Sequence, residues 1–210
     1  MTGSMGAGKS TVCRVFESQG ALVIDADTIG HETLGDPDVR RGLVAEFGDA
    51  VLDSDGRIVR PELGRRAFAS PEARERLNAI VWPALGRRLD AARERALQER
   101  PDRPVVIDAA LLIEWGDPRA FCDVLVVVTA RAQLRKERSM QRLGITEPEA
   151  EARMVSQLPD DQKTRVADHV IRNDGSPEEL EQRALVLWRE IAPDQEADNA
   201  DSSRGRGHTH

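Results

Sequence analysis

The sequence predicts an α/β fold in which a parallel β-sheet is covered by helices. Short runs that are apolar throughout alternate along the chain with stretches of helical periodicity, and such runs are typical of strands buried on both faces. Strands joined through helices pair in parallel. Of the 210 residues 40% are hydrophobic but only 3% are aromatic, so the core must be mainly aliphatic. A chain of this length is expected to form one compact domain.

The first elements are a helix and a strand. Residues 9–19 carry Val12, Val15 and Phe16 on one helical face, and Gly20 stands at the C-cap position. The apolar run at residues 21–25 follows at once and predicts the first clear strand.

Three more strands are expected further along the chain. They lie at residues 105–108, 124–128 and 169–172, and the last is the weakest in apolar character. Helical stretches separate them, which favours parallel pairing through crossovers.

The remaining helices are indicated by their start signals. Ser70-Pro71 begins one helix, and residues 146–149 and 176–179 have the pattern of capping boxes. The arginine-rich residues 87–103 predict a solvated helix. Apolar periodicity is lost over residues 192–210, which predicts a disordered tail.

Charge and hydropathy disfavour two classes of partner. The chain has 30 basic and 37 acidic residues, a net charge of −7, which argues against a protein that mainly binds nucleic acid. No apolar run approaches the ~20 residues that span a bilayer, and the N-terminus lacks a signal pattern. The two cysteines have no metal-binding spacing and form no obvious disulfide framework. We therefore expect a cytoplasmic protein with neither a nucleic-acid nor a membrane partner.

Residues 3–10, Gly-Ser-Met-Gly-Ala-Gly-Lys-Ser, fit the phosphate-binding pattern G-x-x-x-x-G-K-[ST]. Glycines let backbone N–H groups turn toward a β-phosphate, the lysine reaches the β and γ oxygens, and the serine hydroxyl ligates Mg²⁺. Only three of the 30 basic residues are lysines, which favours a phosphate-binding loop over a glycine-rich turn that ends in Lys-Ser by chance. The loop predicts ATP and Mg²⁺ binding, with nucleotide contacts from Gly6, Ala7, Gly8, Lys9, Ser10 and Thr11, and a metal contact from Ser10.

The strand that should lead into this loop is missing from the pattern, because only Met1 and Thr2 precede Gly3. Phosphate-binding loops of this kind follow a buried strand. We therefore expect the natural chain to begin about five residues earlier, with an apolar strand.

Asp25 and Asp27 close the strand at residues 21–25. If the extended conformation persists, both carboxylates point the same way, at the sheet edge where ligands bind. A carboxylate there can accept the proton of a hydroxyl that attacks the γ-phosphoryl group. The alternative is a pair of polar residues that end a strand and cap the next turn.

Asp108 ends the strand at residues 105–108, a pattern in which the Asp holds Mg²⁺ directly or through water. Four apolar residues and an Asp are common by chance. Glu114, six residues further on, is the alternative functional acid of this region, and the pattern does not decide between them.

Arg131, Arg135, Arg138 and Arg142 recur at helical spacing and are predicted to share one face of a helix. Such a face can act as a lid that brings positive charge to a transferring phosphoryl group. The alternative is an ordinary solvated basic face. Arg142 is the strongest catalytic candidate of the four.

Taken in order, these patterns resemble the dephospho-CoA kinase family from near residue 1 to about residue 191. The matching segments are residues 3–11, 23–27, 47–48, 77–80 with Pro83, 111–114, 141–142, Arg153 with Gln157, and 167–175. The resemblance implies a P-loop kinase three-layer fold with a parallel sheet. It also implies a single domain at 1–191 with a helical acceptor-binding insertion at about 30–90 and a small lid at about 131–160.

The resemblance further implies phosphorylation of the ribose 3′-hydroxyl of dephospho-CoA by ATP and Mg²⁺. Asp27 matches the general base, Lys9 the phosphate clamp, and Asn173 lies in a turn expected beside the adenine. The protein would act as a monomer or weak oligomer. Two positions depart from the family pattern, which often has His at Trp82 and Pro at Ala110, and this bears on acceptor affinity.

Three other functions are compatible with parts of the pattern. The first is a P-loop kinase for another small hydroxylated metabolite, such as a sugar or nucleoside. The second, a GTPase-like switch, would need an Asn-Lys-x-Asp or Thr-Lys-x-Asp motif, and no lysine follows Asn or Thr here. The third is a non-catalytic binding module.

Overall fold

Five parallel strands form the centre of the computed structural model, which describes residues 1–115 and 117–192. They are β1 (Thr2–Gly3), β2 (Leu22–Asp25), β3 (Val105–Asp108), β4 (Val126–Thr129) and β5 (His169–Arg172). β4 pairs with both β1 and β5, and β2 pairs with β3. The α/β fold and all four predicted strands are confirmed, with β4 beginning two residues later than expected.

Met1 joins the two groups of strands. Its ammonium donates a hydrogen bond of 2.6 Å to the carbonyl of Ile107, and the N–H of Ala109 donates to the Met1 carbonyl at 3.0 Å. β1 therefore lies between β3 and β4, which gives the spatial order β2-β3-β1-β4-β5. A short strand does precede the phosphate loop, with Thr2 and Gly3 paired to β4 and Met1 bonded to β3. An earlier start of the natural chain stays a prediction.

Ten α-helices and two short 3-10 turns complete the described residues. They are α1 (Lys9–Ser18), α2 (Ala26–Thr33), α3 (Pro37–Phe47), α4 (Arg60–Ala67), α5 (Pro71–Glu99), α6 (Leu112–Trp115), α7 (Ala132–Leu143), α8 (Glu147–Val155), α9 (Asp160–Val166) and α10 (Pro177–Ile191), with turns at Asp49–Val51 and Pro118–Ala120. The predicted start signals function as caps: Ser70 accepts from the N–H of Ala73, Ser176 accepts from that of Glu179, and Thr146 forms a capping box with Glu149.

Helices cover both faces of the sheet, as the side chains of β4 show. Val126 and Val128 belong to the core formed with α1 and α10, where the rings of Phe16 and Trp188 lie 5.1 Å apart. Val127 belongs to the core on the opposite face, formed with α5. This alternation is the period-two pattern of a strand buried on both sides, and it gives the predicted three layers.

The insertion between β2 and β3 has its own core, in which Leu43 is fully buried. α5 extends from this core to the sheet, since Ala84 packs in the insertion and Leu85 and Leu89 pack under β2 and β3. Residues 87–99 of the solvated helix predicted over 87–103 are therefore the second half of one 29-residue helix, which ends at Glu99, so residues 100–103 are not helical. Leu85 and Leu89 are four residues apart, so these two buried side chains lie on one face of the helix after Pro83. No helix among the described residues is long and apolar enough to cross a membrane.

Candidate active site

The phosphate-binding loop connects β1 to α1, and two of its glycines are required by its shape. Gly6 has φ 76° and Gly8 has φ 97°, in the left-handed region that glycine adopts at little cost. A Cβ on Gly6 would lie 2.3 Å from the carbonyl oxygen of Arg135, and one on Gly8 would lie 2.4 Å from Nδ2 of Asn173. The loop is thus enclosed closely from outside, while the N-terminus of α1 provides positive potential at its inner side.

A cavity of about 620 Å³ opens beside the loop. Residues 3–10 form one part of it, and the rest comes mainly from the insertion between β2 and β3 and from the segment that begins in α7 and ends at residue 157. The lining includes Asp27, His31, Arg60, Phe68, Trp82, Glu114, Arg142, Arg153 and Gln157. Three regions separated in sequence therefore enclose one site that has a phosphate-binding end and a wider, partly apolar end.

Asp25 and Asp27 are separated by the structure, contrary to the expectation that both point the same way. β2 ends at Asp25, and its side chain caps α2 by accepting from the N–H and hydroxyl of Thr28 at 2.9 and 2.7 Å. Asp27 already lies in the first turn of α2 and lines the cavity. The helix begins before the extended conformation can align the two carboxylates, so only Asp27 faces the site.

Lys9 connects the loop to two carboxylates. Its ammonium is ion-paired with Asp108, and it lies 3.9 Å from Oδ2 of Asp27. Asp108 ends β3 in register with Asp25 at the end of β2, which places it at the carboxyl edge of the sheet where α/β proteins bind ligands. The structure thus brings together Lys9, Asp27 and Asp108, three of the residues singled out in the sequence.

The pKa of the Asp27 carboxyl is determined mainly by its partial burial. Burial raises the pKa of this carboxyl above its usual range and outweighs the Lys9 ammonium and the Ala110 N–H, which act in the opposite direction. At Asp25, burial also acts to raise the pKa, but the hydrogen bonds from Thr28 prevail and lower it. Of the two, Asp27 is the stronger proton acceptor.

The four arginines that were predicted to share a helix face differ in their contacts. Arg131 precedes α7 as its N-cap and lies 3.8 Å from Asp174. Arg135 lies 3.5 Å from Asp160, and Arg138 donates to the carbonyl of Asn173 at 2.9 Å. Arg142 lines the cavity and is exposed. Arg131 therefore lies outside the helix, Arg135 and Arg138 contact groups of the protein, and Arg142 is the one of the four that lines the cavity. A lid role for this helix stays a prediction.

Asn173 contacts the loop itself. Its side-chain amide is buried and donates to the carbonyl of Ala7 at 2.9 Å, and the residue is not part of the cavity lining. Thr11, in the first turn of α1, is also outside that lining and accepts a hydrogen bond from Arg14. Direct contact of either residue with a nucleotide stays a prediction.

Glu114, the alternative acid, has a different role from Asp108. It is buried beneath the cavity, and its Oε1 lies 2.7 Å from Nζ of Lys163, which is fully buried. The contact is an ion pair without hydrogen-bond geometry, since among the described residues neither Lys163 Nζ nor Glu114 Oε2 has a hydrogen-bond partner. Sequence analysis missed Lys163, although the scarcity of lysine was a signal that could have identified it.

The wide end of the cavity has an aromatic wall. The rings of Trp82 and Phe121 are 4.7 Å apart and inclined by 35°, and Trp82 lines the cavity. Phe68, on the same side, is 48% exposed. Such surfaces favour a planar or apolar part of a ligand, while Arg60, Arg142 and Arg153 around them favour its anionic groups.

Comparisons with known proteins agree with this geometry. A family model described as "CoaE: Dephospho-CoA kinase" matches residues 1–179. A dephospho-CoA kinase of Geobacter metallireducens is 42% identical over 193 residues, covering 90% of this chain and 94% of that protein. The crystal structure of TT1252 from Thermus thermophilus aligns with a TM-score of 0.72 and 31% identity, over 90% of this chain and 95% of that one. A dephospho-CoA kinase from Campylobacter jejuni aligns with a TM-score of 0.50 and 25% identity, over 91% and 95%.

Proposed function

The chain belongs to the dephospho-CoA kinase family and phosphorylates dephospho-CoA with ATP to give coenzyme A, and we propose that Lys9, Asp27 and Arg142 carry out the transfer to the ribose 3′-hydroxyl. The observation that supports this assignment is the position of Asp27, 3.9 Å from the loop lysine at the phosphate end of the cavity. A sugar, a nucleoside or a purely binding role is not favoured, because the relatives are dephospho-CoA kinases.

The loop holds the triphosphate. Backbone N–H groups of Gly6, Ala7 and Gly8 and the N-terminus of α1 stabilise the β-phosphate. For Lys9 to reach the β and γ oxygens, its ammonium exchanges the carboxylate of Asp108 for phosphate. The phosphate oxygens then compensate the positive charge of Lys9, and the carboxylate of Asp108 becomes available for a second role.

Asp108 and Ser10 are suited to Mg²⁺. They offer a carboxylate and a hydroxyl oxygen, the hard ligands that Mg²⁺ prefers. Among the described residues no three His, Cys, Asp or Glu side chains form a metal cluster, and Mg²⁺ usually takes only one or two protein ligands beside water and phosphate oxygens. When bound, the ion neutralises charge on the β and γ phosphates.

Asp27 acts as the general base. Its carboxylate accepts the proton of the 3′-hydroxyl while that oxygen bonds to the γ-phosphorus, and the bond between the γ-phosphorus and the bridging oxygen breaks. ADP leaves with the electron pair of the broken bond, and Asp27 later returns its proton to solvent. The raised pKa of Asp27 makes it a stronger base than an ordinary carboxylate.

Arg142 supplies positive charge to the γ-phosphoryl group during its transfer. It is exposed at the end of α7 and borders the cavity, so it reaches the γ-phosphoryl group when the segment from α7 to α8 moves toward the loop. The acceptor lies along the aromatic wall, with Trp82 as a stacking surface and Arg60 or Arg153 near its pyrophosphate.

The reaction is tested with the purified chain, ATP, Mg²⁺ and dephospho-CoA, with coenzyme A formation as the readout. Sugars and nucleosides serve as competing acceptors. Preferred phosphorylation of one of these over dephospho-CoA would contradict the assignment of the acceptor.

The base is tested by Asp27→Asn, with Asp25→Asn as the matched control. We expect Asp27→Asn to lower kcat by ~10²-fold or more while ATP affinity, measured by calorimetry, changes little. Asp25→Asn should retain most activity because asparagine also caps helices well. If Asp25→Asn is crippling and Asp27→Asn mild, the assignment is reversed.

A further inference from the structure

The segment after α8 contacts the phosphate loop through two side-chain hydrogen bonds. Oδ1 of Asp160 accepts a hydrogen bond of 2.5 Å from the hydroxyl of Ser4, and Oε1 of Gln157 accepts one of 2.9 Å from the N–H of Met5. Both loop residues stand between Gly3 and Gly6, at the outer rim of the loop. We call residues 157–163 the brace.

Asp160 is the most connected residue of the brace. Its second oxygen accepts from the hydroxyl of Thr129 at the end of β4, and Arg135 of α7, only 11% exposed, lies 3.5 Å from Oδ1. One carboxylate therefore joins the loop, the sheet and α7. Its two oxygens accept hydrogen bonds from Ser4 and Thr129, and Arg135 adds an ion pair, an arrangement that fixes the orientation of the side chain.

The brace is anchored at a second place under the cavity. The N–H of Leu158 donates to Oε1 of Glu114 at 3.1 Å, and Lys163 at the other end of the brace pairs with the same carboxylate. The side chains of Glu114 and Lys163 are 5% and 0% exposed. Because both ends are held by a buried group, the brace presents Gln157 and Asp160 to the loop from a fixed position.

We infer that Asp160 is a positioning residue for ATP: through Ser4, and together with Gln157, it holds the phosphate loop in the shape that binds the triphosphate. The inference rests on the loop being the ATP site, as proposed above. A glycine-rich loop has many accessible conformations, and the apparent affinity of a ligand falls with the fraction of protein in the competent one. Ties at the rim raise that fraction before ATP arrives.

The direction in which ATP affinity changes when Asp160 is neutralised distinguishes a positioning role from a direct effect of its charge. Asp160 is an anion near the site of another anion, so removing its charge would by Coulomb's law strengthen ATP binding. Loss of the ties to Ser4 and Thr129 would weaken it. A fall in affinity on neutralising this carboxylate therefore has no electrostatic explanation.

The test compares Asp160→Asn with Asp161→Asn in the full chain, with ATP as the ligand and calorimetry as the measurement. Asparagine keeps one acceptor oxygen but presents an NH₂ group where a second oxygen accepted. We expect the dissociation constant for ATP to rise about tenfold, with the KM for dephospho-CoA within about twofold. Asp161, whose exposed carboxylate pairs with Arg165, loses the same charge one residue away, and its variant should bind ATP as the wild type does.

Ser4→Ala removes the hydrogen bond between Ser4 and Asp160 from the loop side, and it tests the inference if Asp160→Asn does not fold. It should weaken ATP binding in the same direction, and the double variant should be no weaker than the worse single one. Unchanged ATP affinity in either folded variant overturns the inference, as does an equal rise in both KM values. If the wild-type chain binds ATP but forms no coenzyme A, the proposed function fails while these affinities still decide the role of Asp160.

Discussion

The backbone N–H of Ala110 faces the carboxylate of Asp27, at 3.2 and 3.3 Å from its two oxygens. This bond favours the ionised carboxylate and acts to lower its pKa, while burial, Asp108 and Asp25 act to raise it and Lys9 also lowers it. Ala110→Pro removes the N–H donor. We expect the pKa of Asp27 to rise, so the acidic limb of the kcat profile, where the base becomes deprotonated, moves to higher pH.

Ala110→Gly is the matched control because it changes the side chain and keeps the N–H. Its kcat profile should coincide with that of the wild type. Identical profiles for the proline and glycine variants would show that this bond does not tune the base.

At the residue scale, the pattern of residues 3–10 predicted a loop before a helix, and the structure has that loop between β1 and α1. The roles of Lys9 and Ser10 toward phosphate and Mg²⁺ stay predictions. Sequence reasoning failed for the orientation of Asp25 and Asp27, which depends on where α2 begins. A helix that starts one residue after the strand was not visible in the pattern.

Between elements, the ion pair of Glu114 in α6 and Lys163 in α9 is the most deeply buried charge interaction described. Lys163→Met preserves length but leaves the Glu114 carboxylate buried without a counter-charge. We expect the free energy of unfolding in urea to fall by about 3–5 kcal/mol. The double variant Glu114→Gln with Lys163→Met should recover most of this loss, because no uncompensated charge remains and the Gln oxygen still accepts from Leu158.

Stability is the right readout for this pair, since Glu114 also lines the cavity and activity would mix two effects. A single variant as stable as the wild type would mean that the pair contributes no net stabilisation. A double variant as unstable as the single one would mean that packing of Lys163, rather than charge compensation, is what α9 requires.

At the element scale, four of the five strands and the helices with clear periodicity or caps were predictable, whereas the short helices α2, α3, α4, α6 and α9 and the partners of all elements were not. Spacing placed Arg135 and Arg138 on one helix, but only the tertiary arrangement shows that they hold Asp160 and Asn173 instead of facing a ligand. Asp160 itself has no local pattern around it. Its role depends on Ser4, 156 residues away in sequence, and single-sequence reasoning does not reach such contacts.

The whole molecule combines a parallel sheet with a helical insertion between β2 and β3, and one helix, α5, packs in both. The α/β class and parallel sheet followed from the alternation of apolar strands with helices, and the order of strands became clear only from the bonds of Met1 to Ile107 and Ala109. The domain limits near residues 30, 90 and 191 stay predictions.

α5 couples the insertion to the sheet, and this coupling predicts how the molecule unfolds. Leu43→Ala opens a cavity in the core of the insertion, where Leu43 is fully buried, and should lower the free energy of unfolding by about 2–5 kcal/mol. Because α5 packs Ala84 in that core and Leu89 against the sheet, we expect one calorimetric transition at a lower Tm for the entire chain. Val186→Ala, at a side chain that is 63% exposed, is the control and should leave Tm nearly unchanged. Two separate transitions, with the later one at the wild-type Tm, would show instead that the insertion unfolds independently and that 1–191 is not a single cooperative domain.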